Sequence, residues 1–176
     1  EQALKEADSE AVALDLYRGG GMLTAMLAKK CEKAYGIEIV EEASRCADEL
    51  KKANGLDGRM FNVCGKVEEK LGGVLEKTKG NKRVIVCDPP RKGMERSVVR
   101  AVAESGADKI ILISCNPATL ARDLGLLTGA LVEGDGGLIK SAEHKSNYKI
   151  ISVTPFDMFP QTKWCETLCV LEKIRG

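Results

Sequence analysis

A doubly wound α/β domain with a mostly parallel, seven-stranded sheet is the fold class that this sequence predicts. Three observations carry it. Short apolar runs of strand length alternate with amphipathic stretches of helical length, which implies strands joined by crossover helices. Several of the runs stop at glycine- or proline-containing turns, the chemistry of loops at one edge of such a sheet. The last run, Leu168-Cys169-Val170-Leu171, is apolar on both faces and belongs inside the sheet.

Residues 1–10 are polar and helix-prone, like the tail of a helix that begins upstream. The first strand, 12–17, stops at Arg18-Gly19-Gly20-Gly21, and a helix follows over 21–31. Strand 34–39 closes on Glu38 and leads to the helix at 41–53, with its alternating charges. Strand 59–64 turns at Gly65 into the helix at 66–78. Strand 83–88 ends at a Pro-Pro turn, which a helix over 95–105 follows. Strand 109–114, built on Ile110-Ile111-Leu112-Ile113, is broken by Asn116-Pro117 before a helix at 118–128. The glycine-rich, charged segment Glu133–Asn147 reads as an exposed loop or hairpin, and strands 149–156 and 167–173 complete the set.

The 176 residues suffice for one domain with a real core. Twenty-seven basic and 26 acidic side chains leave a net charge of +1, so a polyanionic partner would need local patches or another domain. Seven cysteines without a C-x-x-C pair, and no secretory leader, point to a reducing, cytoplasmic setting. No apolar run approaches membrane-spanning length. The single histidine, His144, reads as a loop residue, which leaves little support for histidine metal sites or Ser-His-Asp catalysis.

The chemistry concentrates at the predicted strand ends. Cys115 follows a buried strand and precedes a helix start, where the backbone dipole favours a thiolate. That environment suits a covalent nucleophile, although a lone cysteine is more often a small buried hydrophobe. Asp15-Leu16-Tyr17-Arg18-Gly19-Gly20-Gly21 combines an acid with glycines that let backbone approach a ligand. Glu38 lies 23 residues after Asp15, where an acid can bond ribose hydroxyls. Thr24 occupies the position of a third glycine, which disfavours a dinucleotide. Cys64-Gly65-Lys66-Val67 offers a loop that could hold a purine, or simply be a loop. Asp88-Pro89-Pro90-Arg91-Lys92-Gly93 is a stiff, donor-poor turn; Arg91 stands where amino-methylating enzymes want an aromatic residue, and Arg91 and Lys92 suit an anion.

These motifs occur in the order found in RNA 5-methyluridine methyltransferases, and the chain resembles the catalytic domain of that family. The match rests on Asp15-Leu16-Tyr17-x-Gly19-x-Gly21, on the Asp88–Gly93 turn, on Ser114-Cys115-Asn116-Pro117-Ala118-Thr119-Leu120-Ala121-Arg122-Asp123, and on Asp157–Thr162 with Glu166-Thr167. The resemblance implies a Rossmann-like methyltransferase fold whose last strand is antiparallel. It implies S-adenosylmethionine as cofactor, RNA (tRNA or rRNA) as partner, and methylation of uridine C5 through a covalent adduct. Cys115 would be the nucleophile and Glu166 the base. Asp15, Tyr17, Gly19, Gly21, Glu38, Lys66, Val67 and Asp88 would surround the cofactor. Asp88, Pro89, Arg91, Lys92, Asn116 and Arg122 would meet the RNA substrate.

No metal site or membrane association is expected, and the domain is expected to be monomeric. Arg18, where relatives carry cysteine, and the long Glu133–Asn147 loop depart from the family pattern. The chain is expected to be a piece of a larger enzyme, without the upstream RNA-binding domains of full-length relatives. A cofactor- or RNA-binding module without turnover is the principal alternative; a nucleotide-dependent oxidoreductase is disfavoured by Thr24 and the Cys115 motif.

Overall fold

The computed structural model describes residues 2–134, 136–141, 143, 146–158, 160–162 and 165–174. His144, Phe159 and Trp164 lie outside the described residues. A short helix α1 (Gln2–Lys5) leads into β1 (Val12–Leu16), α2 (Met22–Lys30), β2 (Lys33–Glu38), α3 (Glu41–Ala53), β3 (Met60–Cys64) and α4 (Val67–Lys77). Then come β4 (Arg83–Cys87), α5 (Arg96–Glu104), β5 (Lys109–Ser114) and α6 (Pro117–Leu127). A hairpin of β6 (Leu131–Gly134) and β7 (Gly137–Lys140) precedes β8 (Tyr148–Phe156) and β9 (Glu166–Lys173).

Seven strands form one sheet in the order β3-β2-β1-β4-β5-β9-β8. Strands β1 to β5 pair in parallel, while β9 is antiparallel to both β5 and β8. The predicted class is therefore present, with its antiparallel last strand enclosed between neighbours. That enclosure explains why Leu168, Cys169, Val170 and Leu171 are all buried. The predicted strands and crossover helices each recur within a residue or two of their expected ends. The Glu133–Asn147 segment contributes β7 and the end of the hairpin, among its described residues.

Side-chain alternation splits the core into two layers. Leu14, Leu16, Ile85, Ile110 and Leu112 face Leu71 of α4, Val98 of α5 and Leu127 of α6. Ala13, Val84, Val86 and Ile111 face Ala25, Leu27 and Ala28 of α2, with Ala3 of α1 nearby. The strand order reverses between β1 and β4, which opens a crevice beyond their carboxyl ends, the usual ligand position in open α/β sheets.

Leu171 lies in the enclosed strand with no solvent exposure. Leu171→Ala is expected to lower unfolding stability by about 2–5 kcal/mol through the cavity it leaves. Urea titration should show a lower midpoint and an unchanged slope.

Candidate active site

The site is assembled from five strand ends. Cys115 directly follows β5, whose last residue, Ser114, pairs with Thr167 of the antiparallel β9. Thr167 is preceded by Glu166, the first residue of β9, so Cys115 and Glu166 each lie one residue beyond the last pair of that ladder, at the same end. Both side chains are partly buried, so they are shielded yet reachable. That Cys115 and Glu166, 51 residues apart in sequence, come to one edge of the sheet is a consequence of strand direction.

Cys115 also stands next to the cap of α6. Asn116 is the N-cap, and its side chain accepts the Ala118 N–H at 3.1 Å. Pro117 opens the helix where its missing N–H costs nothing. Ser114 Oγ accepts the Asn116 N–H at 3.1 Å and fixes the turn around the cysteine.

Asp88 leaves β4 beside β1, its N–H bonded to the Leu16 carbonyl at 3.2 Å. Its residue is exposed, but the protein around it still lifts its carboxyl above the ordinary range. Burial, and then the charge of Asp88, raise Glu166 as well. Asp15 is only 1% exposed and is pushed up to about 7, first by burial; its Thr24 hydrogen bond, at 2.6 Å, opposes that shift. Asp88 adds to the elevation of Asp15. Three acids thus share one corner of the sheet edge, and the charge of Asp88 disfavours ionisation of the other two.

The second half of the site is a cleft of about 300 Å³, lined by residues that include Tyr17, Glu38, Ile39, Lys66, Val67 and Pro90. Four of the predicted cofactor residues are therefore together: Tyr17, Glu38, Lys66 and Val67. Glu38 closes β2 and accepts the N–H groups of Gly19 and Val40, both at 2.9 Å. Each carboxylate oxygen keeps a second lone pair for a ligand hydroxyl. Tyr17, a non-glycine residue at φ 64, stores local strain where β1 enters the loop. Ile39, 55% exposed beside Glu38, supplies an apolar wall. Nothing in its spacing marked it, because an exposed isoleucine after a strand resembles any other loop residue. A larger cavity of about 990 Å³, lined by Asp8, Lys82, Asp108 and Lys109 among others, lies at the opposite edge of the sheet. It faces the strand starts, away from Cys115 and Glu166.

Several predicted ligand residues sit behind the cleft rather than on it. The Asp15 carboxylate is enclosed and committed to Thr24. Gly21 is buried at φ +87, and a Cβ there would stand 2.7 Å from the Ala47 Cβ. It allows α2 and α3 to pack closely and does not face the cleft. Gly19 remains at the loop, through its N–H to Glu38. Arg18 is 6% exposed, bonds Ser44 Oγ at 2.8 Å, and lies over Gly36. Its buried guanidinium is destabilised by desolvation and supported by the charges of Glu38 and Asp15.

The predicted RNA contacts divide in the same way. Asn116 donates to the Arg91 carbonyl at 3.0 Å, and Arg122 pairs with the buried Asp123 at 2.6 Å. Both are engaged in holding the Asp88–Gly93 loop. Pro89 is partly buried and Arg91 exposed on that loop. Lys92 is exposed, lines the cleft, and pairs with Glu95 at 2.5 Å. Such an exposed pair is weak and leaves the lysine available to an anion.

Comparisons with known proteins identify the family and the fold. The family model for tRNA (Uracil-5-)-methyltransferase matches residues 2–174. The chain belongs to that family. An uncharacterized RNA methyltransferase of Clostridium tetani is 38% identical over 173 residues, spanning 97% of this chain and 34% of that protein. Another, from Clostridium acetobutylicum, is 36% identical over 163 residues, or 93% of this chain and 32% of the relative. The chain thus spans about a third of the length of the curated relatives it matches. The crystal structure of Pyrococcus abyssi tRNA (uracil-54, C5)-methyltransferase in complex with S-adenosyl-L-homocysteine superposes with a TM-score of 0.73 at 25% identity. It covers 97% of this chain and 36% of that one. An rRNA methylase from Streptococcus thermophilus shares the fold, with a TM-score of 0.68 at 14% identity over 98% of this chain and 92% of that one. The methyltransferase fold expected from the motifs is present.

The elevated Asp15 has a consequence for stability. Its folded value of about 7 lies above the usual 3.8, so the folded chain holds a proton that the unfolded chain releases between them. Asp15 therefore favours the fold fully below about pH 4, and that contribution is lost as pH rises through 7. Asp15→Asn should flatten the decline in stability between pH 4 and 7, by an amount on the order of a few kcal/mol. Thermal melts of both proteins across that range check the sign.

Proposed function

We propose that this domain transfers a methyl group from S-adenosylmethionine to C5 of a uridine in RNA, through a covalent adduct on Cys115. The observation that supports this most is the ladder of β5 and β9, whose last pair, Ser114 and Thr167, is flanked at the same end by Cys115 and Glu166. A thiol and a carboxyl on one edge, with Asp88 close enough to bias Glu166, suit nucleophilic addition and later proton removal.

The cleft residues fit the cofactor. Glu38 would take the ribose hydroxyls, Ile39 and Pro90 would flank the purine, and Tyr17, Lys66 and Val67 would close the wall. Bound S-adenosylmethionine supplies an electrophilic methyl group. Cys115, as the thiolate, forms a bond to uracil C6, and the C5–C6 electron pair moves into an enolate over C5 and O4. C5 then gains the methyl group while still carrying its proton. Glu166 removes that proton, the C5–C6 double bond re-forms, and the C6–sulfur bond breaks to free the thiolate. Asp88 would bond the uracil edge through its polar atoms. A carboxylate held above its ordinary range is a stronger base, which suits Glu166 for the deprotonation.

The uridine, and whether it lies in tRNA or rRNA, is a matter for the whole enzyme. A domain with near-balanced charge makes few phosphate contacts by itself. A binding module without turnover would need neither the thiol nor the carboxyl beyond the ladder's end, and their shared place at that edge favours the enzyme.

Substitutions in the enzyme that carries this domain test the roles. Cys115→Ala should abolish both methylation and covalent capture of RNA containing 5-fluorouridine. Glu166→Gln should slow turnover roughly 10²–10⁴-fold and accumulate a denaturation-resistant protein–RNA adduct on ordinary uridine. Near-normal turnover by Cys115→Ala would overturn the nucleophile. Normal turnover without adduct by Glu166→Gln would assign the proton to another base.

A further inference from the structure

Helix α6 is tied to the Asp88–Met94 loop by directed bonds from four side chains. The Arg91 carbonyl accepts two of them, from Asn116 Nδ2 at 3.0 Å and from Thr119 Oγ1 at 3.3 Å. Asp123, 2% exposed, accepts the Met94 N–H at 3.0 Å through one oxygen. Its other oxygen receives Arg122 Nε at 2.8 Å and Nη2 at 2.6 Å. The same Nη2 donates to the Met94 carbonyl at 2.9 Å. Gly93 permits this approach: at φ +78, a Cβ there would stand 2.5 Å from Arg122 Nη2 and 2.8 Å from Asp123 Oδ2.

This loop serves both halves of the site. Asp88, at its start, acts electrostatically on Glu166, while Pro90, Lys92 and Gly93 line the cleft. On the other side of the bonds, Asn116 is the immediate neighbour of Cys115. The clamp therefore joins the wall of the cleft to the segment that carries the thiol.

We infer that Asn116, Thr119, Arg122 and Asp123 are positioning residues, which hold the Asp88–Met94 loop in the conformation that binds cofactor and fix it relative to Cys115. The inference rests on the cleft being the S-adenosylmethionine site. Two proline rings stiffen the loop internally but do not anchor it, since Pro89 and Pro90 have no N–H to donate. Asp88 anchors the start of the loop through its N–H to the Leu16 carbonyl, and the clamp holds the rest through the Arg91 carbonyl and the N–H and carbonyl of Met94. When the clamp is broken, the loop spends part of its time elsewhere, and affinity falls by the fraction of competent conformer.

Asn116→Asp separates the clamp from the helix cap. Aspartate still accepts the Ala118 N–H and caps α6, but it turns an acceptor toward the Arg91 carbonyl. Thr119→Val removes the second donor, and Thr119→Ser keeps it. With this chain, calorimetry using S-adenosylhomocysteine should show roughly three- to tenfold weaker binding for Asn116→Asp and Thr119→Val, the loss expected for one hydrogen bond. Thr119→Ser should bind as the parent does. Leu171→Ala, measured well below its melting temperature, should lose stability yet keep parental affinity. Parental affinity in both clamp variants would overturn the inference while leaving the cofactor reading intact. Equal weakening by Leu171→Ala would overturn it too, as general loosening. No heat from the parent chain would overturn the cofactor reading and the clamp with it.

Discussion

Because β9 enters the sheet antiparallel, between β5 and β8, its first residue arrives at the edge where the parallel strands end. A parallel strand there would deliver Glu166 to the far side, beside Lys109, away from the end of β5 that carries Cys115. The register then matters as much as the direction. A slip of one residue would turn Glu166 to the other face of the sheet and exchange the buried Leu168 and Val170 for Cys169 and Leu171. Core packing on both faces of β9 therefore fixes where Glu166 stands relative to the end of β5.

The same edge concentrates negative charge. Asp15, Asp88 and Glu166 are each shifted upward, first by desolvation, and Asp88 acts on the other two. Burying acids without cations beside them costs stability, and here the opposing contributions are few: the Thr24 hydroxyl and the Arg18 charge. Arg18 is itself desolvated, with its Nε buried and unbonded. Arg18 stands behind the glycine loop, near both Asp15 and Glu38. Its charge opposes the upward shift of Asp15 from beneath the cleft.

The strands and crossover helices were legible because each has one dominant signal: a buried strand is an unbroken apolar run, and each crossover helix repeats its apolar positions at helical spacing. The hairpin of β6 and β7 was less so, since Val132 and Ile139 remain exposed and leave no buried stripe to read. In the site, strand ends marked Cys115, Glu38 and Asp88, the family resemblance marked Glu166, and the topology carries all four to one edge. Which way each residue faces was not legible. Gly21 and Asp15 belong to a ligand-binding motif, yet one makes room for Ala47 and the other is sealed against Thr24. A motif records that a position is constrained and leaves open whether ligand or neighbouring helix constrains it.

Asn116 and Arg122 show the physical basis of that ambiguity. A polar side chain beside a nucleophile and an arginine one turn into the following helix have the donors that an RNA phosphate requires. They also have the donors that a carbonyl-rich, N–H-poor loop requires. The Pro-Pro turn creates the second demand, because it removes two amides from the segment that must be held at the cleft. Asn116 and Arg122 meet it, with Thr119 and the buried Asp123, so the helix motif and the proline loop are two halves of one structural element. Cys115 is the immediate neighbour of Asn116, so that contact also reaches the segment carrying the thiol.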